Sequence, residues 1–287
     1  MSEEQSNEFE ELINQLESSI DVLETHEKMD YEIPKLYYKM VFEDELSEEE
    51  KGLALKGLVL YLNYKREFYE TFIKSHLEDI YIKLPFYFER PFTDWTLSLL
   101  QKSIQDKKPS EDIINKICDT ISMVLDEDQH PTKTLNNGFL LIHKILVIYP
   151  ECISNIIQSE SFSSGRLTQG LILELIFTEY KESMYSICLD VLNILYSQKE
   201  AEKYLYINDL NVMLSDVFPS LCRQNNYTND VVMHKMCLTL IVLLRIAINH
   251  STYEEIPAFR ECLEHLATSQ DDTKLVNEVL DLSTLNQ

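Results

Sequence analysis

Apolar residues recur along most of this chain at the three- and four-residue spacing that places side chains on one face of a helix. Residues 204–221, YLYINDLNVMLSDVFPSL, show this pattern clearly. The apolar positions at offsets 0, 3, 4, 7, 8 and 11 are Leu210, Met213, Leu214, Val217, Phe218 and Leu221. Asn208 or Asp209 is the expected N-cap, because its side-chain oxygen can accept from the first-turn N–H groups. Pro219 predicts a bend or an early end of this helix.

Many of the other helical segments are apolar around most of their circumference, and the loops between them are short. A helix of that kind must be covered on several sides, as happens where repeated helices stack on one another. The chain has only five glycines, and tight sheet turns need many. We therefore predict an all-α fold, an armadillo/HEAT-like α-solenoid. No clean sequence period is visible, so its repeats are expected to be degenerate, and a plain helical bundle is the structural alternative.

The first sixth of the chain differs from the rest by its charge. Residues 1–50 hold 17 Asp and Glu against 3 Lys and Arg, which supplies −14 of the net charge of −24. Apolar residues at helical spacing from Phe9 to Leu23 predict a first helix with an acidic outer face. We predict an acidic N-terminal helical segment over residues 1–45 and an armadillo-like helical domain over residues 46–287, the two forming one continuous domain. The acidic face has two interpretations, contact with a basic partner and a merely solvated surface.

The net charge of −24 also disfavours some classes of partner. Phosphate backbones and anionic lipids attract proteins through a cationic face, so we expect neither nucleic acid nor membrane insertion. An acidic field would instead steer a protein with basic surfaces. The N-terminus lacks the features of a signal peptide, and no apolar run reaches the ~18 residues of a membrane span. The six scattered cysteines are expected to be reduced core thiols, and we predict a soluble, cytoplasmic monomer.

No motif in the sequence carries catalytic, cofactor or metal chemistry. GRLTQG lacks the glycine spacing of a dinucleotide loop, and the P-loop and nucleophile-elbow patterns are absent. HEKMD is not HExxH, and no two cysteines are spaced CxxC, so we predict no metal site. We expect no enzyme activity, no catalytic residue and no cofactor. An enzyme would need convergent titratable groups in a deep pocket.

One helix combines a nearly continuous apolar sequence with a few polar residues. In VVMHKMCLTLIVLLRIAINH, Arg245 lies about 20° and Asn249 about 60° around the helix from His234. These three residues form one narrow stripe, as expected of a helix that lines the exposed surface of a stack. They are the candidate partner-binding residues. The alternative is that His234 and Arg245 satisfy buried carbonyls or pair with an internal carboxylate.

The same part of the chain resembles a known family. The segment YLYINDLNVML, followed by a helix that opens VVMHKMCLTLIVLL, resembles the C-terminal half of the leucine-rich domain of the WISH/DIP family. The preceding helices, over residues 171–180 and 184–196, fit the same arrangement, and the resemblance covers roughly residues 110–268. The chain departs from the family pattern at Leu238, Val242 and Ile246, where members tend to carry arginine, proline and asparagine.

The resemblance implies an armadillo-like domain, of the compact fungal type, that binds and activates the actin-related protein 2/3 complex. Such a domain nucleates linear actin filaments without a pre-existing mother filament and seeds branched networks, as at cortical endocytic patches. The implied location is the cytoplasm, at the cortical actin cytoskeleton. The functional alternative is a generic armadillo or HEAT scaffold that binds an extended peptide. That alternative predicts regularly repeated Asn or Trp positions, whereas Trp95 is the only tryptophan.

Overall fold

The computed structural model describes residues 32–43, 47–88, 92–127, 133–177, 182–224, 230–249, 277–279 and 281. Within these ranges the chain forms helices and no β-strand, so the all-α prediction is confirmed. The chain divides into two compact units, Met1–Ile117 (unit 1) and Cys118–Gln287 (unit 2). The predicted first helix, from Phe9 to Leu23, lies outside the described residues and stays a prediction.

Unit 1 is built from helices of 6 to 17 residues. They are α1 (Glu32–Phe42), α2 (Glu48–Tyr64), α3 (Arg66–Thr71), α4 (Leu77–Lys83), α5 (Thr93–Ser103) and the first part of α6 (Glu111–Glu127), with 3₁₀ turns at Ile73–His76 and Leu84–Tyr87. Helix α1 packs on α2. Ser47 and Glu50 form a capping box, in which the Ser47 N–H donates to the Glu50 carboxylate at 3.0 Å, and this box fixes the start of α2.

Unit 2 contains two consecutive repeats of helical segments that follow helix α7 (Lys133–Ile148). The first repeat comprises a 3₁₀ turn at Pro150–Cys152, α8 (Ile153–Gln158), α9 (Glu160–Ser163), α10 (Arg166–Phe177) and α11 (Glu182–Tyr196). The second repeat comprises a 3₁₀ helix at Lys199–Tyr204, α12 (Ile207–Val212), a π-helical turn at Met213–Val217, α13 (Phe218–Gln224) and α14 (Asp230–Asn249). Each repeat therefore runs from a short segment through a broken middle segment to a long helix.

The period of these repeats is visible in the helix positions. Helices α7, α11 and α14 begin at residues 133, 182 and 230, so successive starts are 49 and 48 residues apart. Helix α11 packs against both α7 and α14, which stacks the three long helices in chain order. The armadillo-like prediction with degenerate repeats is thus confirmed, since residue types at equivalent positions differ while the helices recur.

The helix predicted within residues 204–221 has a different N-cap residue from the one expected. Its N-cap is Tyr206, which makes no side-chain cap bond, so the predicted cap at Asn208 or Asp209 is wrong. The Tyr206 ring packs against Gly165, where the absence of a side chain leaves room for it; a Cβ there would stand 2.6 Å from the ring. Because the packing of Tyr206 sets the entry of the chain, Asp209 falls inside the first turn. Its Oδ2 is buried without a hydrogen-bond partner, and burial raises the pKa of its carboxyl.

The predicted disturbance at Pro219 takes the form of a π-helical turn. The N–H of Phe218 donates to the carbonyl of Met213, five residues back, directly before the proline. The helical path continues into α13 with Pro219 as its second residue, and Pro219 has no N–H to donate to the preceding turn. The apolar face that the spacing predicts is buried, including Met213, Leu214 and Val217.

The cysteines that the structure describes in full belong to the core. Cys118, Cys152, Cys188 and Cys237 are buried free thiols, which confirms the prediction for these four. Burial raises the pKa of the Cys118 thiol to about 12, so this thiol stays protonated at neutral pH.

The close contact between α10 and α7 yields a test of the packing. A Cβ on Gly170 would lie 2.9 Å from Phe139 Cζ and 3.0 Å from Leu125 Cδ1. We expect Gly170→Val to lower the free energy of unfolding by about 2–3 kcal/mol, because it overpacks a filled core. Chemical denaturation measures this loss. Adding Phe139→Leu removes the clashing ring atom, so the two losses should be less than additive; strict additivity would show that the residues do not share this space.

Candidate functional site

Helices α7, α11 and α14 each leave one stripe of side chains at least partly exposed, while most of the rest of each helix is buried. The exposed positions recur every three or four residues, so each stripe faces one direction. Apart from Thr134, Ile148 and Ile248 near the helix ends, they are Lys133, Asn136, Asn137, Leu140, His143, Lys144 and Val147 on α7; Ser183, Ser186, Ile187, Asp190, Asn193 and Ile194 on α11; and Val231, His234, Lys235, Leu238, Val242 and Arg245 on α14. We call this set the three-helix face.

A single carboxylate joins the three stripes into one surface. Asp190 Oδ2 on α11 accepts from His143 Nε2 on α7 at 3.2 Å and also from Lys235 Nζ on α14. An ionised carboxylate can only accept, so the His143 nitrogen that faces it carries the proton. All three side chains are about three-quarters buried, at 23% to 25% exposure. The bridge therefore fixes the lateral register of the three helices at the surface.

The electrostatics of the bridge favour the ionised form of Asp190. Burial alone would raise the pKa of this carboxyl, but the hydrogen bonds from His143 and Lys235 and their charges outweigh it and hold the pKa below its usual range. Asp190 is thus a carboxylate at neutral pH with its charge balanced by its neighbours. Such a group is suited to positioning side chains rather than to proton transfer.

Two further polar contacts anchor the stack from beneath the face. Thr239 of α14 donates to the backbone carbonyl of Leu189 on α11 at 3.1 Å. The side-chain amide of Asn136, on α7, lies against both carboxylate oxygens of Glu174 on α10, at 2.5 and 2.9 Å; since an ionised carboxylate can only accept, we assign the amide nitrogen of Asn136 as the donor. Glu174 is only 1% exposed, so these bonds help to satisfy a carboxylate inside the core.

The structure places two residues of the predicted stripe, His234 and Arg245, on the three-helix face. His234 and Arg245 are both exposed, and Arg245 pairs with Glu278, its own side chain being 56% exposed. The alternative of a buried internal pairing does not describe Arg245, because its ion pair stands at the surface. Asn249 is the last residue of α14, and its side chain lies outside what the structure describes. Contact with a partner through these residues stays a prediction.

The sequence reasoning missed the residues that organise the face. Asp190, His143 and Lys235 come from three helices that are some fifty residues apart in the chain, so no local spacing links them. A signal was nevertheless present, since each is a charged or titratable residue inside an otherwise apolar helix. Such residues are retained only where a partner satisfies them. Leu238 and Val242, where the chain departs from the family pattern, lie partly exposed on the same face.

Unit 1 contains a polar cleft of about 490 Å³ that we considered as a second site. Its central carboxylate, Asp106, accepts from the Tyr69 hydroxyl at 2.8 Å and pairs with Lys74 at 2.6 Å. The bonds from Lys74 and Tyr69 lower the pKa of Asp106, while burial and the bond to Asp106 raise the pKa of Tyr69. Both groups are therefore held in their ordinary charge states at neutral pH. This network joins α3 to the chain after α5, and its polar groups are already occupied.

Within the described ranges no three His, Cys, Asp or Glu side chains are grouped so that they could hold a metal ion. No uninterrupted apolar run long enough to span a membrane occurs in the sequence, but one described segment, Val231–Ile248 of α14, has the length and average apolar composition of a membrane span, with Lys235 and Arg245 inside it. Helix α7 and residues 150–158 reach that length and apolar composition only when they are taken together, and the two are bent by 119° relative to one another. Most of the α14 segment is buried, and core helices of soluble proteins share these properties. Its apolar composition follows from its packing on α11.

Comparison with known proteins finds structural likeness only. No family model matches the chain, and no curated protein matches it. A designed armadillo repeat protein in complex with the peptide (KR)4 is similar over 88% of this chain and 99% of its own, at 13% identity and a TM-score of 0.48. Two engineered proteins from the Northeast Structural Genomics Consortium are also similar.

For the first of these, the match covers 90% of this chain and 99% of the other, at 14% identity and a TM-score of 0.48. For the second, it covers 88% and 96%, at 13% identity and a TM-score of 0.47. Likeness of this size defines no family. The fold class rests on the helices and contacts described above.

The Asp190 bridge makes a testable contribution to stability. The pKa of Asp190 in the folded state lies below the usual 3.8. Its contribution to the free energy of unfolding is therefore present above the unfolded-state pKa and is lost as the pH falls through the folded-state pKa. We expect Asp190→Asn to lower the free energy of unfolding by about 1 kcal/mol at pH 7, a value that allows for solvent screening of a partly exposed group. Chemical denaturation should show the difference from wild type shrinking as the pH falls below 3.8 and through the lowered pKa of Asp190.

The matched control is Asp216→Asn, which removes an exposed carboxylate of unit 2 that lies away from the face. It should leave stability within about 0.5 kcal/mol of wild type. An Asp190→Asn variant as stable as wild type at pH 7 would show that the bridge does not hold the helices together.

Proposed function

We propose that this chain is a non-catalytic protein-interaction module that binds a segment of a partner protein on the three-helix face. The observation that carries the proposal is the Asp190 bridge, which holds exposed stripes from three stacked helices in one preformed surface. A preformed surface loses little conformational freedom on binding, so more of its contact energy appears as affinity. Stacked helical repeats provide extended surfaces of this kind.

The resemblance to the WISH/DIP family gives the proposal its finer form. In that form the partner is the actin-related protein 2/3 complex, and the chain acts as an activator in the cytoplasm at the cortical actin cytoskeleton. Activation needs no chemistry, only tighter binding to the active arrangement of the complex than to the inactive one. A shift from 1% to 99% active would require about 10⁴-fold preference, or about 5.5 kcal/mol. A stiff surface that touches more than one subunit is suited to that difference.

The generic scaffold is the second candidate, and the exposed apolar residues of the face support it. Val147 and Val231 are 58% and 56% exposed, and apolar side chains of a peptide could cover them. The two candidates differ in outcome rather than in site. A scaffold binds its partner without changing the activity of an assembly, whereas an activator changes the rate of filament formation.

A seedless actin assembly assay tests the finer proposal. The full chain is mixed with the actin-related protein 2/3 complex and pyrene-labelled monomeric actin, without filament seeds. We expect faster assembly that requires both the chain and the complex. For Arg245→Glu we expect at least about ten-fold weaker activity, because the substitution places a like charge beside Glu278 and reverses the charge at this position of the face. The control is Lys199→Glu, the same charge change at an exposed residue of unit 2 off the face.

If a saturating concentration of the chain does not accelerate filament assembly, the activator role is refuted. Binding of the complex in a sedimentation assay without acceleration would leave the scaffold function. Circular dichroism must show equal helicity for both variants, because a loss of helicity in Arg245→Glu would assign that residue to folding rather than to contact.

A further inference from the structure

We infer that residues 277–279 of this chain form a latch on the Arg245 end of the three-helix face, so that a partner that uses Arg245 must first displace them. The identity of the partner rests on the proposed function, whereas the latch is a property of the chain alone. The inference gives one end of the face an intramolecular occupant. It is carried by an ion pair, a buried valine and the orientation of the helical segment that holds both.

The latch is a helical segment with one side turned towards the protein. Residues 277–279 and Asp281 are helical. Asn277 and Asp281 are exposed, whereas Val279 is fully buried. At 100° per residue, Asp281 lies about 40° around the helix from Asn277, and Val279 lies about 200° from it, on the opposite side. A helical turn with one exposed and one buried side lies against a surface of the protein rather than projecting into solvent.

The ion pair between Glu278 and Arg245 locates the latch on the face. Arg245 Nη2 donates to Glu278 Oε1, across 33 positions of the chain. Arg245 is one of the exposed residues of α14 that belong to the three-helix face. Val279 follows Glu278 directly, and consecutive Cα atoms are about 3.8 Å apart, so the buried valine lies close to this pair. The latch therefore occupies space at this end of the face that a bound segment would otherwise use.

The contacts of the latch are of a kind that a partner can displace. The side chains of Arg245 and Glu278 are 56% and 38% exposed, and ion pairs this accessible to water are weak. Among the side chains described over residues 277–281, Val279 alone is buried, and its burial supplies the larger attraction. A segment held by so few buried contacts opens locally, without unfolding of the whole protein. Because it belongs to the same chain, dilution does not lower its effective concentration.

The closed latch weakens a partner in proportion to the fraction of molecules in which it is closed. The apparent dissociation constant equals the intrinsic one divided by the fraction of open molecules. A latch closed in about two thirds of the molecules weakens binding about three-fold, and one closed in about nine tenths weakens it about ten-fold. Changes that release the latch and leave Arg245 in place should therefore strengthen binding.

Hydrogen exchange of the full chain, followed by mass spectrometry, tests the latch without a partner. We expect the amides of residues 277–279 to exchange at least about five-fold faster in two variants. Glu278→Lys places a like charge beside Arg245, and Val279→Ala removes buried apolar surface. Combining Glu278→Lys with Arg245→Glu recreates a pair of opposite charges, so it should restore slow exchange.

The matched controls are Glu200→Lys and Val212→Ala, which make the same two changes at residues of unit 2 off the face. Both should exchange as wild type does over residues 277–279. Equal exchange in wild type, Glu278→Lys and Val279→Ala would overturn the inference, and so would fast exchange in the charge-swapped double variant. Faster exchange throughout α11 in Val279→Ala would also overturn it, because Val279 would then belong to the cooperative core rather than to a separable latch.

Sedimentation with the actin-related protein 2/3 complex tests the competition. Val279→Ala changes no charge, so we expect it to bind the complex at least about three-fold more tightly than wild type, while Val212→Ala binds as wild type does. Equal or weaker binding by Val279→Ala would overturn the inference. Failure of the proposed function is distinguishable. If no variant binds the complex while the exchange results are as expected, the activator role is lost and the latch stands; if the complex binds and exchange is equal in all variants, the inference alone fails.

Discussion

The structure of unit 2 depends on the burial of helix α11 between two other long helices. Leu189, Val191 and Leu192 are all fully buried, and α11 packs against both α7 and α14. Each such leucine contributes about 1.5–3 kcal/mol by leaving water. A helix that is apolar on so much of its surface could not remain soluble alone. The repeats therefore stabilise one another, and the stack is the unit that folds.

The same constraint explains why the polar residues of these helices collect on one surface. Neighbouring helices occupy most of the circumference of α11, so only a narrow stripe is left for groups that need water or a charged partner. Asp190 lies in that stripe and binds one residue from each adjacent helix. Polar contacts at the surface thus fix the register of helices whose apolar contacts are less directional. The structural and the functional roles of the face have one origin.

The sequence predicted the helices and the exposed stripe on α14 because both follow from the spacing of residues within one helix. His234 and Arg245 could be placed on one face by counting residues. The 48- to 49-residue repeat could not be recognised in the sequence, because equivalent positions in α7, α11 and α14 have the same burial but different residue types. The cap of α12 was mispredicted for a related reason. The contact between Tyr206 and Gly165 joins two segments, and capping rules consider only one.

The acidic total charge and the contacts made by the three-helix face act over different distances. At physiological ionic strength the Debye length is about 8 Å, so carboxylates farther than that from the face have little effect on a bound segment. The net charge of −24 sets the long-range field of the chain, whereas the side chains of the face govern contact. The affinity of a bound segment would therefore depend on the residues of the face, and the surrounding negative charge would discourage non-specific polyanions.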